Sequence, residues 1–247
     1  MLKTILGAVL LLCMFVCCKK PVTAQYTMPA STVIPNDTTI ILPDTLSGKT
    51  YLALGDSYTI GQSVAVSERF PVQVATKLSR LNIKFATPEI IAQTGWTTAS
   101  LLSSLGGAAP KKTAYDIVTL LIGVNNQYQH RTQEEYRQQF EILLIKSIQY
   151  AGNNKQRVFV LSIPDYSVTP FASGSNTAMI AMEIDAFNTI NKKIALQYNV
   201  NYLDITGFTR LAATDPSLIA GDGLHPSGIE YSVWANNLAP MIQAALQ

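Results

Sequence analysis

The chain has 247 residues, of which 48% are hydrophobic and 14% are charged, and its formal net charge is +2. This composition excludes a disordered chain, and 14 Gly with 12 Pro exclude a collagen-like repeat. The cysteines are Cys13, Cys17 and Cys18, so the rest of the chain holds no internal disulfide and no cysteine-ligated metal. The two histidines, His130 and His225, are too few for a multi-histidine zinc site.

The first 24 residues are interpreted as an export signal. An apolar run of 12 residues, 5–16, follows Lys3 and is too short for a helix that stays in a bilayer. The apolar stretch ends at Cys18 with two lysines behind it, which resembles a bacterial lipoprotein signal. We therefore favour cleavage before Cys18, with a lipid on that residue and the protein anchored to a membrane in the periplasm or at the cell surface. Small residues before Gln25 also allow ordinary cleavage, which would give a secreted soluble protein.

Residues 25–49 are predicted to form a tether. They are rich in Thr, Pro, Ser and Asp and show no helical period. The alternative is an extended segment packed on the domain surface through residues 40–42. Once the first 24 residues are removed, 15 basic and 16 acidic residues remain, without a basic stripe, so nucleic acid is not an expected partner.

From residue 50 to 247 strands alternate with amphipathic helices. In chain order, the patterns predict a strand at 51–54, a helix at 69–81, strands at 89–93 and 117–122, a helix at 133–151, a strand at 158–163, a helix at 177–198, a strand at 200–205 and a helix at 226–246. Thr132 and Glu135 form the sequence signature of a helix start. The third and fourth strands are almost continuously apolar, which is typical of strands covered on both faces. The sequence thus predicts one α/β domain, a parallel sheet between two helical layers.

Distinctive residues follow the predicted strands, where parallel α/β sheets bind their ligands. The first strand runs into Gly-Asp-Ser-Tyr at 55–58, the second is followed by Gly95, and the third by Gly-Val-Asn at 123–125. Asp-Gly-Leu-His at 222–225 precedes the last helix. These four blocks, in this order and spacing, resemble the SGNH hydrolases, also called the GDSL family of esterases and lipases. The resemblance runs from about residue 50 to the end, and it implies a flavodoxin-like three-layer α/β/α fold and a serine esterase.

The residue types suit that chemistry. A serine hydroxyl needs a base to take its proton, and His225 is a suitable base near neutral pH. An aspartate three residues before a histidine can accept its Nδ1 proton and orient the ring, a role that fits Asp222. The resemblance assigns catalysis to Ser57, Asp222 and His225. By contrast, His130 lies at a helix entrance and is expected to be an exposed loop residue.

The resemblance also implies an oxyanion hole. Its donors would be the backbone N–H groups of Ser57 and Gly95 and the side-chain amide of Asn125. Glycine suits such a place because its missing Cβ allows a close approach of backbone and substrate. The chain has Asn126 where many members of the family have aspartate. That difference affects a supporting contact rather than the reaction.

We therefore expect an exported serine esterase that works through an acyl-enzyme without a metal or organic cofactor. No long insertion is available for a lid, and the connection at 164–176 is polar apart from Tyr166, Val168 and Phe171. A shallow site would favour short acyl groups, such as acetyl esters of glycans, because little hydrophobic free energy is gained from a long chain. The alternatives are a lysophospholipase or thioesterase, acyl transfer to a sugar, and a catalytically silent carbohydrate-binding module on the same fold.

Overall fold

The computed structural model describes residues 48–107 and 110–247. The predicted export signal, Cys18 and nearly all of the predicted tether lie outside these residues. Within the described ranges, no helix combines the length and apolar character that crossing a membrane requires.

The described residues form five strands, β1 (Tyr51–Asp56), β2 (Glu89–Gln93), β3 (Ile117–Leu121), β4 (Val158–Leu161) and β5 (Asn201–Leu203). The same part of the chain forms the α-helices α1 (Ser57–Ile60), α2 (Phe70–Arg80), α3 (Thr98–Ser104), α4 (Val124–Tyr128), α5 (Gln133–Tyr150), α6 (Thr177–Gln197), α7 (Thr206–Thr209) and α8 (Gly228–Ala245). Short 3₁₀ turns complete the connections.

All neighbouring strands pair in parallel, in the order β2-β1-β3-β4-β5. The chain passes from β1 to β2 on one side and then crosses to β3 on the other side of β1. This reversal creates a crevice beyond the carboxyl end of β1, the place where ligands bind in open α/β sheets. Ser57 follows β1 directly and therefore lies at this crevice.

Helices cover the sheet. Every residue of β1, β3 and β4 is buried, as expected for strands with a helical layer on each face. Helix α2 packs against α8, where the Phe70 and Trp234 rings lie 5.9 Å apart, and α5 packs against α6, where Tyr136 and Phe187 lie 4.8 Å apart. The predicted parallel α/β/α architecture is confirmed.

The last helix begins later than predicted. Helix α8 starts at Gly228 rather than at Pro226, because the Ser227 hydroxyl accepts the Glu230 N–H and caps the helix. Pro226 instead forms an isolated antiparallel bridge with Ile219. Two residues therefore separate His225 from the first helical residue.

Candidate active site

Ser57 is fixed at a tight junction between β1 and α1. Asp56 caps the helix, and its Oδ1 accepts the Tyr58 N–H at 3.0 Å. As the first residue of α1, Ser57 presents a backbone N–H that has no partner within the helix. Gly55 is required just before the junction, because a Cβ there would overlap the side chain of Thr59 and the carbonyl of Leu121.

His225 and Asp222 form a close pair on the loop before α8. His225 Nδ1 lies 2.6 Å from Asp222 Oδ2, and the His225 backbone N–H donates to Asp222 Oδ1 at 2.9 Å. Only 3% of His225 is exposed, and its ring packs against Tyr58 with the ring centroids 4.9 Å apart. The carboxylate therefore fixes the imidazole so that Nε2 points away from Asp222.

Asp222 is held by more donors than sequence reasoning identified. The Ser63 hydroxyl donates to Oδ2 at 2.6 Å, and the Leu224 N–H donates to Oδ1 at 3.0 Å. Burial by itself would raise the pKa of Asp222, but the hydrogen bonds from Ser63, His225 and Leu224 outweigh it and lower the pKa below its usual range. Asp222 is thus ionised at neutral pH and suited to stabilise a positive charge on His225.

Asn125 is linked by a hydrogen bond to the turn that carries Gly95. The Asn125 side-chain amide donates to the Trp96 carbonyl at 3.1 Å, which links α4 to the turn after β2. Gly95 adopts φ 79°, and Gln129 Nε2 donates to its carbonyl at 3.1 Å. A Cβ on Gly95 would meet nothing within 4 Å, so its left-handed backbone, rather than crowding, accounts for the glycine in this structure.

Asn126, which stands where many members of the family have aspartate, makes two hydrogen bonds to Thr98. This buried side chain accepts the Thr98 N–H at 3.0 Å and donates to the Thr98 hydroxyl at 2.7 Å. The Thr98 hydroxyl donates in turn to Gln139 Oε1. Asn126 thereby fixes the start of α3, two residues beyond Trp96.

The structure brings three of the predicted site residues onto one open cleft of about 100 Å³. Its walls consist of Ser57, Tyr58, Val124, Asn125, Tyr128, Tyr166, Phe171, Leu224 and His225. Asp222 is not part of this wall and contacts the cleft through His225, and Gly95 lies in the adjoining turn. Among the described residues no hydrogen bond joins the Ser57 hydroxyl to His225, although such contacts often tighten only when substrate binds.

Three aromatic side chains, which we call the aromatic rim (Tyr128, Tyr166 and Phe171), form one side of the cleft. Their ring centroids lie 5.9–6.2 Å apart, and Tyr128 and Phe171 are 52% and 47% exposed. The Phe171 N–H donates to the Gly223 carbonyl at 3.0 Å, which ties the rim to the loop that carries His225. In the sequence, the connection at 164–176 is polar apart from Tyr166, Val168 and Phe171, a pattern that does not predict the rim.

Two buried carboxyl groups lie near the site. Burial raises the pKa of Asp56 to about 7, which is the net result after hydrogen bonds from Tyr58 and Asn125 have acted in the opposite direction. Burial likewise raises the pKa of Glu230 to about 7, against the effect of a hydrogen bond from Trp234. A small cavity of about 20 Å³, enough for about one water molecule, is lined by both Glu230 and His225.

His130 lies away from these groups. It is exposed, adopts φ 54° and does not line the cleft. In the described part of the chain, no group of three or more His, Cys, Asp or Glu side chains is arranged to hold a metal ion.

A parallel sheet with a serine after its first strand and an Asp-x-x-His pair before its last helix defines an ester hydrolase of the SGNH type. The sequence model of the GDSL-like lipase/acylhydrolase family matches residues 53–231, and the chain belongs to this family. A comparison with curated protein sequences finds no significant match.

Solved structures share the fold. A lipase/acylhydrolase from Enterococcus faecalis is 19% identical, with a TM-score of 0.62 over 81% of this chain and 97% of the other. An acetylxylan esterase from Geobacillus stearothermophilus is 18% identical, with a TM-score of 0.62 over 79% of this chain and 94% of the other. A psychrotrophic esterase from Pseudoalteromonas sp., in a structure inhibited by monoethylphosphonate, is 16% identical, with a TM-score of 0.61 over 80% of this chain and 98% of the other. The protein is a carboxylic ester hydrolase.

Proposed function

We propose that the protein is an exported serine esterase that removes short acyl groups, with acetyl esters of glycans as its substrate class. The observation that carries the proposal is the arrangement of Ser57 and His225 on one cleft, with Asp222 bonded to the far side of the imidazole. This arrangement supplies a nucleophile, a base and a carboxylate that orients the base.

The reaction has two halves. His225 Nε2 takes the proton of the Ser57 hydroxyl as its oxygen attacks the ester carbonyl, and the resulting imidazolium returns the proton to the departing alcohol. Water then attacks the acyl-Ser57 ester, giving its proton to His225, and the carboxylic acid leaves as Ser57 regains its hydroxyl proton. Asp222 remains ionised throughout, since its hydrogen bonds hold its pKa low.

The oxyanion of each tetrahedral intermediate needs fixed donors. We assign this role to the backbone N–H groups of Ser57 and Gly95 and the side-chain amide of Asn125. Removing one such donor costs about 3 kcal/mol of transition-state stabilisation in other acyl-transfer enzymes. Anchoring of Asn125 to the Trp96 carbonyl favours this role, because a donor already fixed before reaction needs little reorganisation.

The shape of the cleft favours a small acyl group. It is open to solvent, and an enclosed tunnel would be needed to gain the roughly 0.8 kcal/mol that each buried methylene contributes. We assign the alcohol part of the substrate to the aromatic rim. The half-exposed faces of Tyr128 and Phe171 offer flat apolar surfaces that match the C–H face of a sugar ring.

Labelling with a fluorophosphonate probe tests the serine mechanism. The wild-type protein should be labelled and should hydrolyse phenyl acetate, whereas Ser57→Ala should do neither while it unfolds at the same urea concentration. Absence of labelling in the wild-type protein would favour a silent carbohydrate-binding module. Full hydrolysis by Ser57→Ala would refute the serine mechanism.

A substrate series tests the specificity. We expect kcat/KM to be highest for acetyl and propionyl esters; a steady rise up to dodecanoyl esters would identify a lipase, lysophospholipase or thioesterase instead.

Substitutions in the aromatic rim test its role in binding the alcohol part of the substrate. Phe171→Ala and Tyr128→Ala should raise KM for acetylated xylo-oligosaccharides and leave ethyl acetate hydrolysis almost unchanged. Leu211→Ala is the matched control, since Leu211 is 52% exposed and does not line the cleft. Unchanged KM for the glycan would refute the role of the rim.

Export and anchoring are a separate part of the proposal. Labelled fatty acid should be incorporated into the native protein and not into Cys18→Ser. A mature N-terminus at Gln25 would show ordinary cleavage and a soluble secreted protein.

A further inference from the structure

The turn that follows α1, residues 61–63, contacts three separate parts of the site. It begins at Gly61, the C-cap of α1, whose N–H donates to the Ser57 carbonyl. The Gln62 N–H donates to the same carbonyl at 3.0 Å. The turn is therefore bound directly to the residue that carries the nucleophile.

The next two contacts reach other loops. The Thr94 hydroxyl donates to Gln62 Oε1, and Thr94 immediately precedes Gly95. The Ser63 hydroxyl donates to Asp222 Oδ2 at 2.6 Å, across 159 positions of sequence. One short turn thus joins the loops after β1 and β2 to the loop before α8.

The backbone of the turn is unusual. Gly61 and Ser63 adopt φ 65° and 67°, a left-handed conformation that non-glycine residues rarely take. An exposed loop could relieve this strain with glycine or asparagine at position 63. Serine in this conformation is accounted for by its hydroxyl, which donates to the Asp222 carboxylate.

We infer that Ser63 is a positioning residue for the reaction and that it acts through Asp222. Two backbone N–H groups hold Oδ1 of this carboxylate, but Oδ2, the oxygen that faces His225 Nδ1, has Ser63 as its other partner. The Ser63 hydroxyl therefore limits rotation of the carboxylate and with it the tilt of the imidazole. This inference rests on the proposed serine mechanism.

Two substitutions separate the hydrogen bond from the strain. Ser63→Ala removes the hydroxyl and keeps a Cβ in the left-handed conformation, whereas Ser63→Gly removes the hydroxyl and relieves the strain. We expect both variants to lose about tenfold in kcat with KM unchanged, because each lacks one charge-assisted hydrogen bond. Recovery of wild-type kcat in Ser63→Gly would show that only the backbone matters and would overturn the inference.

A double-mutant cycle tests whether Ser63 acts through Asp222. In the Asp222→Asn background, Ser63→Ala should change the rate of a fluorogenic acetate ester less than twofold, because the carboxylate that it holds is gone. A further tenfold loss would show an independent role and refute the inference. Ser217→Ala is the matched control, since it removes a hydroxyl–carboxylate bond of the same 2.6 Å length, to Asp215, outside the cleft.

The outcomes distinguish this inference from the proposed function. If Ser57→Ala is inactive but both Ser63 variants turn over like the wild type, the serine mechanism stands and the positioning role is wrong. If Ser57→Ala remains active, the proposed function fails whatever the Ser63 variants do. Urea midpoints equal to that of the wild type ensure that lost activity is not lost folding.

Discussion

Replacing Glu230 with glutamine should stabilise the protein above neutral pH and leave its stability at pH 4 nearly unchanged. Glu230 is only 2% exposed; its Oε1 accepts the Trp234 indole N–H at 2.6 Å, and its Oε2 has no hydrogen-bond partner among the described residues. Burial therefore disfavours the charged form and raises the pKa from 4.5 to about 7. Glutamine keeps the acceptor for Trp234 and cannot ionise.

The magnitude follows from the shift in pKa. Between pH 4.5 and about 7 the folded protein keeps a proton on Glu230 that the unfolded chain has released, so stability falls as the pH rises. Each pKa unit corresponds to about 1.4 kcal/mol, so the shift from 4.5 to about 7 sets the loss at up to about 3.5 kcal/mol once the pH exceeds 7. Asp56 has the same direction of shift but is present in both proteins, so its contribution cancels in the difference.

Urea unfolding of both proteins at pH 4, 5, 6, 7 and 8 measures this difference. The free energies of unfolding should nearly agree at pH 4 and separate progressively, with the variant more stable by about 3 kcal/mol at pH 8. A constant offset at every pH would mean that Glu230 does not titrate between pH 4 and 8, and it would refute the reasoning from burial.

Asn126→Asp should lower the free energy of unfolding, measured with urea at pH 8, by about 1–3 kcal/mol. The reason is that it places a buried carboxylate beside the Thr98 hydroxyl, whose proton is already donated to Gln139. Stability equal to that of the wild type would contradict the assigned hydrogen bonds. His130→Gly should keep full esterase activity and gain a few tenths of a kcal/mol, because glycine accepts the positive φ without strain, whereas His225→Ala should abolish phenyl acetate hydrolysis. The reverse ranking of the two histidines would mean that the base is His130.

The long elements could be predicted because their patterns are complete. The strand at 89–93 has the predicted bounds, and the Thr132 hydroxyl caps α5 at 3.1 Å from the Glu135 N–H, as the sequence signature indicates. The short helices α1, α3, α4 and α7 were not predicted. They span four to seven residues, too few for a helical period to be visible, and they are set by caps and by tertiary contacts.

The site could be predicted only in part. Ser57, Asn125 and His225 stood out because each follows or precedes a recognisable element. Ser63 gave no signal, because its partner is 159 positions away and an isolated serine in a loop has many uses. The rim residues Tyr166 and Phe171 were visible as exceptions in a polar connection, but only the fold shows that they face the cleft.

The distance in sequence between Ser57 and the Asp-x-x-His pair has a consequence for refolding. Ser57 directly follows β1, whereas Asp222 and His225 lie on the loop before α8, and α8 packs against α2. In the proposed mechanism, a partly folded chain that has formed the sheet but has not docked α8 holds a serine with no base beside it. Esterase activity regained during refolding therefore reports the docking of α8, a long-range contact, rather than the formation of the sheet.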